Sequence, residues 1–353
     1  MASIDWRSGY SAKWRVMTVN KTTWANKAEF KNIFSVSVDR DCSGDAPLLE
    51  SGTIKYTSSL PPYFPEGYYR FELVVTQGEN RAIFPIATML CSSRAGNIDK
   101  HYSEMDVDCY SVLKPASEVY FSNGEFAPIK VNGPQWCAQK LREGGVAAPV
   151  HIYASSSFTL NQYYVFDDSV SYLAGIWKVL NGAGWTLIID GNGEITIQPI
   201  PSSVYARFNR NYRGLFLTEM DYNGSIEGVP NKYIATDASG KTAIATNLDR
   251  NSITSYYSRG RYIEYRDSSP IQVNGESLAE YAKRRLKEMS SIVEQYSYKR
   301  EFYPNLVPRR LIEFDFPEEN LVGTYRITRQ SLSFGAGVTV SETVGKEVKT
   351  YAG

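Results

Sequence analysis

Metal-binding chemistry would have to come from very few residues in this chain. Its two histidines, His101 and His151, fall in different predicted domains and have no cysteine or carboxylate at metal-site spacing. Residues 190–194, Asp-Gly-Asn-Gly-Glu, alternate oxygen side chains like part of a calcium loop. The full ligand pattern and its flanking helices are missing, so a hairpin turn is the better interpretation. We therefore expect ordinary histidines, no metal site and no cofactor.

Common catalytic motifs are also missing. The chain has no Gly-x-Ser-x-Gly elbow, phosphate-binding loop or dinucleotide fingerprint. A glycosidase needs only two facing acids, and the candidate pairs are Asp106 with Asp108 and Glu318 with Glu319. Because the chain contains 38 acidic residues, such pairs arise by chance. The sequence thus predicts no catalytic residues and a protein that is not an enzyme.

The charge balance argues against a nucleic-acid or membrane-surface protein. Lysine plus arginine and aspartate plus glutamate both number 38, so the net charge is zero. Without net charge, the chain shows no electrostatic sign of binding nucleic acid or an anionic membrane. Its 26 tyrosines and six tryptophans fit either protein interfaces or β-rich cores. We expect recognition through a specific surface rather than through bulk electrostatics.

Cysteine use and hydropathy indicate the compartment. The chain contains four cysteines, which are Cys42, Cys91, Cys109 and Cys137. They are too sparse for a disulfide framework and lack CxxC spacing, so we predict buried thiols formed in a reducing cytoplasm. The N-terminal residues lack the layout of a signal peptide, and no apolar run approaches the length of a membrane span. These features predict a protein made in the cytosol.

The sequence pattern of residues 1–112 is typical of short strands separated by turns. Phe71, Leu73 and Val75 recur in the two-residue period of a half-buried strand. Turn-forming runs separate the strands, at 41–45, 61–62 and 77–80. The predicted strands lie near 14–19, 33–38, 52–56, 68–76, 82–89 and 103–112. This region is predicted to be an all-β domain, either a sandwich or a barrel.

Residues 113–201 predict a compact α+β domain. A helix begins at Gly133-Pro134, with proline at its favoured first position, and ends at Gly144-Gly145. A second helix follows the polar start at 167–169 and ends at Asn181-Gly182. Two β runs, 185–189 and 194–197, then flank the glycine-rich turn and predict a hairpin.

Residues 202–353 return to β texture, interrupted by one helix. Ser277 and Glu280 form a capping box and an apolar stripe follows as far as Val293, so we predict a helix over 277–293 packed on or inserted in this second β domain. Four basic residues of the helix are interpreted as a solvated face, with a partner-binding surface as the alternative: Lys283, Arg284, Arg285 and Lys287. The predicted strands lie near 213–220, 232–236, 243–247, 261–265, 311–316 and 324–334.

The two β regions echo each other faintly. Residues 71–89 and 312–330 both contain a strand, a turn with Glu-Asn and a second strand. An Ala-Gly pair follows each, at 95–96 and 336–337. The spacing of about 240 residues is nearly constant, which suggests a duplicated β domain.

The order of the three regions resembles the hub proteins of contractile phage tails and of phage-derived bacteriocins. The run Val-Pro-Asn-Lys-Tyr-Ile-Ala at 229–235 looks like the family's strand after the middle domain. Residues 249–259 look like its acidic-Ser-Ile and Tyr-Gly-x-Arg segments, although Ser258 stands where glycine is usual. Three further segments are similar to its aromatic-Pro-Leu run and its closing hairpin, at 303–308, 323–327 and 332–337.

The middle region also fits this family. The matching segments there are Val-Phe-Asp-Asp-Ser at 165–169, Gly-Trp at 184–185 and Asp-Gly-Asn-Gly-Glu-Ile at 190–195. Together the motifs cover about residues 130–345, whereas 1–112 match in texture alone. Their order and spacing carry the resemblance, because each motif by itself is degenerate.

The resemblance implies a mainly β fold with two related tube-type β-barrel domains, 1–112 and 202–353, flanking the α+β domain 113–201. It implies a structural baseplate hub, a homotrimer whose six barrels form a pseudo-sixfold ring. Its partners would be the tail tube or tube-initiator protein, a central spike or cell-puncturing protein, the tape measure protein and baseplate wedge or sheath-proximal proteins. DNA would pass through the lumen as cargo. The chain would be made in the host bacterial cytoplasm and assembled in a virion tail or a bacteriocin particle.

Three alternatives are compatible with the same sequence features. A hub from a long flexible tail shares the fold but usually carries a C-terminal enzymatic or host-binding extension, and this chain ends at Gly353, soon after its last predicted strand. A tail-associated peptidoglycan hydrolase would release fragments from cell walls. A carbohydrate-binding β protein would bind glycans as a monomer.

Overall fold

The computed structural model describes residues 4–43, 47–58, 66–98, 103–319 and 321–349. His101, the predicted turn residues 44–45 and 61–62, and Asn320 of the echoed turn lie outside these ranges. No helix in the described part of the chain is both long and apolar enough to cross a bilayer.

The first β unit consists of seven strands, β1–β7, which are Ser11–Val19, Asn26–Phe30, Ile33–Asp41, Leu49–Ser58, Gly67–Gln77, Asn80–Ile98 and Ser103–Tyr110. All six predicted strands of this region are present, and β2 was not predicted. The alternation in β5 has its expected result, because Phe71, Leu73 and Val75 are at most 1% exposed. Glu72 is buried too, where it accepts a hydrogen bond from Arg15 Nε at 2.8 Å. β5 is therefore buried on both faces.

The middle unit contains three helices and five short strands. In chain order these are α1 Lys114–Glu118, β8 Phe126–Ala127, α2 Gly133–Glu143, β9 Val150–Ile152, β10 Tyr164–Val165, α3 Tyr172–Ala183, β11 Trp185–Ile189 and β12 Ile195–Pro199. Both predicted helices and the hairpin are confirmed. Asn132 and Ser171 cap α2 and α3 by accepting hydrogen bonds from the backbone, and Gly184 ends α3 with a left-handed φ of 72°. The hydrophobic core of this unit continues into β1, β5 and β6.

The chain then enters a second β unit that carries an insertion. In order its elements are β13 Val204–Phe208, a 3-10 helix Arg210–Leu215, β14 Phe216–Ser225, β15 Lys232–Thr236, β16 Thr242–Thr246, α4 Tyr256–Arg259, β17 Glu264–Asp267, α5 Leu278–Met289, β18 Ser291–Glu301, β19 Leu311–Phe316, a 3-10 turn Pro317–Glu319, β20 Leu321–Phe334 and β21 Val338–Lys349. The predicted strand at 213–220 thus begins as a 3-10 helix.

Helix α5 differs from its prediction in length and in contacts. The capping box is present, with Glu280 N donating to Ser277 Oγ at 3.3 Å and Ser277 N donating to the Glu280 carboxylate at 2.8 Å. The helix ends at Met289, however, and Val293 lies on β18, because a serine pair and then β-branched residues favour extended backbone there. Its buried Leu286 packs in a cluster with residues of β15 and β16. The helix therefore lies within a small insertion between β14 and β18.

The basic face of α5 is only partly solvated. Lys283 and Lys287 are exposed, as predicted. Arg284 Nη2 donates to the carbonyl of Gly182 at 2.8 Å, and Arg285 Nη1 donates to the carbonyl of Asn181 at 3.2 Å. These carbonyls belong to the last turn of α3, where a helix accumulates partial negative charge. Two of the four basic residues therefore tie the insertion to the middle unit.

The two β units have the same strand order. In the first, β3-β4-β7-β6-β5-β1 are neighbours, and in the second β14-β18-β21-β20-β19-β13 are. Numbered by their order within each unit, with β2 and the insertion strands β15–β17 left aside, both sheets read 2-3-6-5-4-1. The pairings match in direction except at the last position, where β1 is antiparallel to β5 and β13 is parallel to β19. The two units therefore share one strand order and differ in the direction of this last strand.

The predicted echo corresponds to the hairpins β5–β6 and β19–β20, which occupy equivalent places. The two Ala-Gly pairs of the echo, however, do not occupy equivalent places. Ala95-Gly96 lies within β6, whereas Ala336-Gly337 lies in the turn between β20 and β21. The two motif segments 323–327 and 332–337 do not face each other in a hairpin either, since β20 runs from Leu321 to Phe334 and pairs with β21.

Candidate assembly interface

One strand joins the two β units into a single sheet. The first half of β20 pairs with β19, from Leu321 to Arg326. Along the same edge, residues 329–333 pair antiparallel with 37–41 of β3. The far edge of β20 pairs with β21, and this ladder shifts register between Ile327 and Arg329. A β-bulge bends its strand and increases the local twist, so the bulge lies where β20 passes from one partner to the other.

A buried polar network lies across this junction. Arg40 of β3 is 3% exposed and donates through Nε to Glu50 Oε1 of β4 at 2.7 Å. Its Nη1 donates to Gln330 Oε1 of β20 at 3.3 Å, and Gln330 lies opposite Arg40 in the β3–β20 ladder. The Gln330 amide nitrogen donates to Glu342 of β21. The network therefore runs from the first unit into the second.

The second half of the network is a buried ion pair. Arg300 of β18 donates to Glu342 through Nη2 at 2.7 Å and through Nε at 2.9 Å. Tyr298 donates its hydroxyl hydrogen to the same carboxylate at 2.5 Å. Both charged side chains are at most 2% exposed. The bidentate geometry and the additional donors compensate for removing these charges from water.

The two buried carboxylates have opposite pKa shifts. Burial alone would raise the pKa of Glu342, but the adjacent Arg300 and the hydrogen bonds to the carboxylate lower it below its ordinary value. Burial raises the pKa of Glu50, and Arg40 offsets this only in part. Among the described residues, Glu50 Oε2 has no hydrogen-bond partner. Protein donors therefore replace the water that the Glu342 carboxylate loses on burial. The Glu50 carboxylate is compensated less completely.

Apolar contacts complete the junction. Leu332 and Phe334 of β20, with Val338 and Val340 of β21, belong to the hydrophobic core of the first unit. The ring of Phe334 lies 6.0 Å from that of Phe71, centroid to centroid. At this junction the second unit thus contributes apolar side chains to the core of the first unit, in addition to the strand pairing.

Three outer strands of the sheet, β14, β2 and β13, each have one edge without a partner strand among the described residues. β14 pairs with β18 on one side and ends the sheet there, and β2 ends it at the other extreme. The second half of β6 is open as well, because β5 pairs with it no further than Cys91 while β7 pairs with it as far as Ile98. Exposed backbone donors and acceptors of this kind are templates for pairing with another chain.

Those of the possible metal ligands that lie within the described residues do not form a site. His151 is exposed and lies 3.0 Å from Glu194, while His101 is outside the described residues. Asp190 Oδ1 accepts a hydrogen bond from Glu194 N at 2.9 Å, which closes a turn. No cluster of three or more His, Cys, Asp or Glu side chains suited to a metal occurs in the described part of the chain.

The turn at 190–194 instead docks the middle unit on the first β unit. Trp24 Nε1 donates to the Asn192 carbonyl at 2.8 Å, and Arg70 Nη2 donates to the same oxygen at 3.1 Å. Gly191 lies so close to β6 that a Cβ there would be 2.0 Å from the Pro85 carbonyl oxygen. The glycines of this run therefore allow its backbone to approach the backbone of β6 closely. The resemblance of residues 190–194 to a calcium loop gave no indication of this role.

Three of the four candidate acids, Asp106, Glu318 and Glu319, lie in surface ion pairs. Asp106 lies 3.4 Å from Lys55, and both side chains are about half exposed. Glu318 and Glu319 lie 3.0 and 2.8 Å from Arg210 and Arg213. These contacts show what the acids do in the folded chain, and the prediction of no catalytic residue stays a prediction.

The four cysteines are free thiols. Cys91, Cys109 and Cys137 are buried, and Cys42 is half-buried. Burial raises the pKa of the Cys137 thiol. The interpretation of the cysteines as buried thiols is confirmed for three of them.

No family model matches the sequence, and no curated protein matches it significantly. The fold, in contrast, matches solved structures. A tail protein from Neisseria meningitidis MC58 superposes with a TM-score of 0.65 at 10% identity, over 96% of this chain and 97% of that one. The 43 kDa tail protein of prophage MuSo2 from Shewanella oneidensis gives 0.60 at 13% identity, over 94% and 97%.

A third similar structure comes from a bacterial secretion system. It is an Escherichia coli component of the type VI secretion system, described as structurally similar to the T4 bacteriophage tail proteins gp27 and gp5. It superposes with a TM-score of 0.54 at 11% identity, over 91% of this chain and 75% of that one. At such identities the similarity concerns the fold. The mainly β fold expected from the hub resemblance is confirmed as a fold of phage tail proteins.

Proposed function

We propose that this chain is a structural hub subunit of a phage-type tail baseplate. Three copies close into a pseudo-sixfold ring that joins the tail tube, or a tube-initiator protein, to a central spike. The ring encloses a lumen for the tape measure protein and, in a genome-carrying particle, for DNA. Baseplate wedge or sheath-proximal proteins contact its outer surface. The chain is made in the bacterial cytoplasm and functions in the tail.

The observation that carries this proposal is the repeated strand order of the two β units. Two equivalent units in one chain, joined edge to edge through β20 and β3, supply two neighbouring positions of a larger ring. Three such chains present six β units, which match the six subunits around a sixfold tube. They can close into a ring with threefold symmetry. In domain terms we propose 1–112 and 202–353 as the ring-forming domains and 113–201 as the domain between them.

The proposal assigns the chain no enzymatic activity. The tail proteins that share its fold support a structural role. Three of the four acids considered for glycoside hydrolysis, Asp106, Glu318 and Glu319, are held in surface ion pairs. A retaining or inverting hydrolase needs two acids facing each other across a substrate cleft.

Localisation in the particle tests the proposal. Tails are purified from the bacterium that carries the gene and labelled with a gold-conjugated antibody against the chain. We expect label at one end of the tail, where tube and baseplate meet, and loss of complete tails when the gene is deleted. Label along the tube or on distal fibres would contradict the hub role and favour a host-binding tail protein.

A further inference from the structure

We propose that the ring closes by a specific strand pairing between copies of this chain. Residues 221–225, on the open edge of β14, pair antiparallel with residues 93–97, on the open edge of β6 in the next copy. This inference rests on the proposed function, because it names the partner and the register of the ring contact. The junction within the chain supplies the template.

The equivalence of the two units can be followed residue by residue. One row of facing residues crosses the second unit, from β14 through β18 and β21 to β20: Asn223, Gln295, Gly345 and Arg326. The corresponding row crosses the first unit, from β3 through β4 and β7 to β6: Asp39, Ser51, Tyr110 and Leu90. Asn223 is therefore the counterpart of Asp39, and Arg326 is the counterpart of Leu90.

The β-bulges confirm this alignment. The β6–β7 ladder shifts register between Cys91 and Ser93, one residue after Leu90. The β20–β21 ladder shifts between Ile327 and Arg329, one residue after Arg326. A bulge fixes where a strand bends, so both strands bend at the same place. In β20 this bend lies directly before the five residues that pair with β3.

The same alignment shows what is missing from a single chain. Residues 93–97 of β6 are the counterpart of residues 329–333 of β20, whose edge is covered by β3. In the chain itself, the described residues place no strand beside 93–97 on that edge. Residues 221–225 of β14 are the counterpart of the covering segment 37–41, and they end the sheet. Each unit thus offers one half of the junction that already exists once within the chain.

The register follows from the internal ladder. Ser331 lies opposite Asp39, so Ala95 of one copy should lie opposite Asn223 of another. Because the surfaces that meet are different, the contact is heterologous and generates a ring when the rotation closes. In a ring of three chains, the β20–β3 junctions within each chain alternate with β6–β14 junctions between chains. Every β6 edge and every β14 edge in the ring is then paired.

The sequence of the β14 edge also favours pairing. Edge strands that must not pair with another chain commonly carry lysine or proline. Strand β2 fits this pattern, because it carries the exposed Lys27. Residues 221–225, Asp-Tyr-Asn-Gly-Ser, contain neither residue type, and Tyr222 is 60% exposed. We therefore assign the second copy to β14 and leave β2 at the outside of the ring.

Cross-linking of the full chain tests the register. Ala95→Cys and Asn223→Cys are combined and treated with a thiol cross-linker that spans only neighbouring strands, whose facing Cβ atoms are about 5 Å apart. The matched control combines Asp39→Cys with Ser331→Cys, which face each other at the internal junction. The control should yield an intramolecular bridge. On a denaturing gel, the test pair should yield covalent dimers and trimers and no larger species, and each single variant should run as an uncross-linked single chain.

Native mass spectrometry without cross-linker separates the possible failures. A trimer that is not captured by the test pair, although the control pair is bridged, overturns the strand pairing and leaves the hub proposal standing. Capture of Asn223→Cys by Glu29→Cys on β2 instead also overturns it. If no trimer appears by either method, in solution or in isolated tails, both the pairing and the ring are wrong.

Discussion

Replacing Glu342 by glutamine should weaken the junction between the two β units. The substitution keeps the size of the side chain but removes the charge that Arg300 contacts at 2.7 and 2.9 Å. Since both side chains are at most 2% exposed, Arg300 is left as a buried cation without a counter-charge. Breaking a buried pair in this way costs about 3–5 kcal/mol. We expect the variant to fold with a correspondingly lower stability.

The assay is thermal melting combined with amide hydrogen exchange. Exchange should accelerate first in the strands that the network connects, β3, β18, β20 and β21, because local opening there no longer breaks an ion pair. The matched control is Glu313→Gln, which removes an equal charge from an exposed pair with Arg207 at 3.1 Å. Such exposed pairs contribute about 0–1 kcal/mol. Equal melting of the two variants would refute the reasoning.

The loss of stability caused by Glu342→Gln should also depend on pH. The folded state holds the pKa of Glu342 below its ordinary value of 4.5, so the ionised carboxylate stabilises the fold above that pH. This contribution is lost as the pH falls through the lowered pKa. The stability difference between wild type and Glu342→Gln should therefore shrink as the solution is acidified below the ordinary carboxyl pKa of 4.5. A difference that grows in acid would contradict the assigned direction.

Three further predictions concern other parts of the molecule. Leu286→Asp should unfold the insertion, because an unpaired carboxylate in its core costs several kcal/mol; a wild-type melting temperature would show that α5 is not packed as described. Gly191→Ala should loosen the docking of the middle unit, since its Cβ would meet the Pro85 carbonyl, whereas Gly9→Ala, with open space around it, should be neutral by the same melting assay. The purified chain should release no muropeptides or reducing sugars from cell walls, and release abolished by one point mutation would overturn the non-enzymatic assignment.

Local signals in the sequence were enough for several elements. Gly133-Pro134 and Gly144 bound α2, and Ser277 with Glu280 begins α5, because caps depend on residues close in the chain. Longer-range features were not accessible. The end of α5 was placed too late because its apolar spacing runs on into β18, and only the pairing of β18 with β14 and β21 settles its structure.

The candidate interface could be inferred only in outline. The faint echo near Glu79-Asn80 correctly indicated two equivalent hairpins. The junction itself brings together residues such as Arg40 and Gln330, which are 290 positions apart and carry no local motif. Its buried charges look like ordinary surface residues in the sequence. Their role depends on a strand pairing that no short window of the chain reveals.

The central claim is that two equivalent β units per chain build a ring of three chains. Cryo-electron microscopy of the assembled particle tests it most directly, by counting copies and tracing strands at each contact. We expect three copies per ring and six β units, with β20–β3 junctions inside each chain alternating with β6–β14 junctions between chains. Six copies or one copy per ring, or β units of one chain that do not occupy neighbouring positions, would contradict the account.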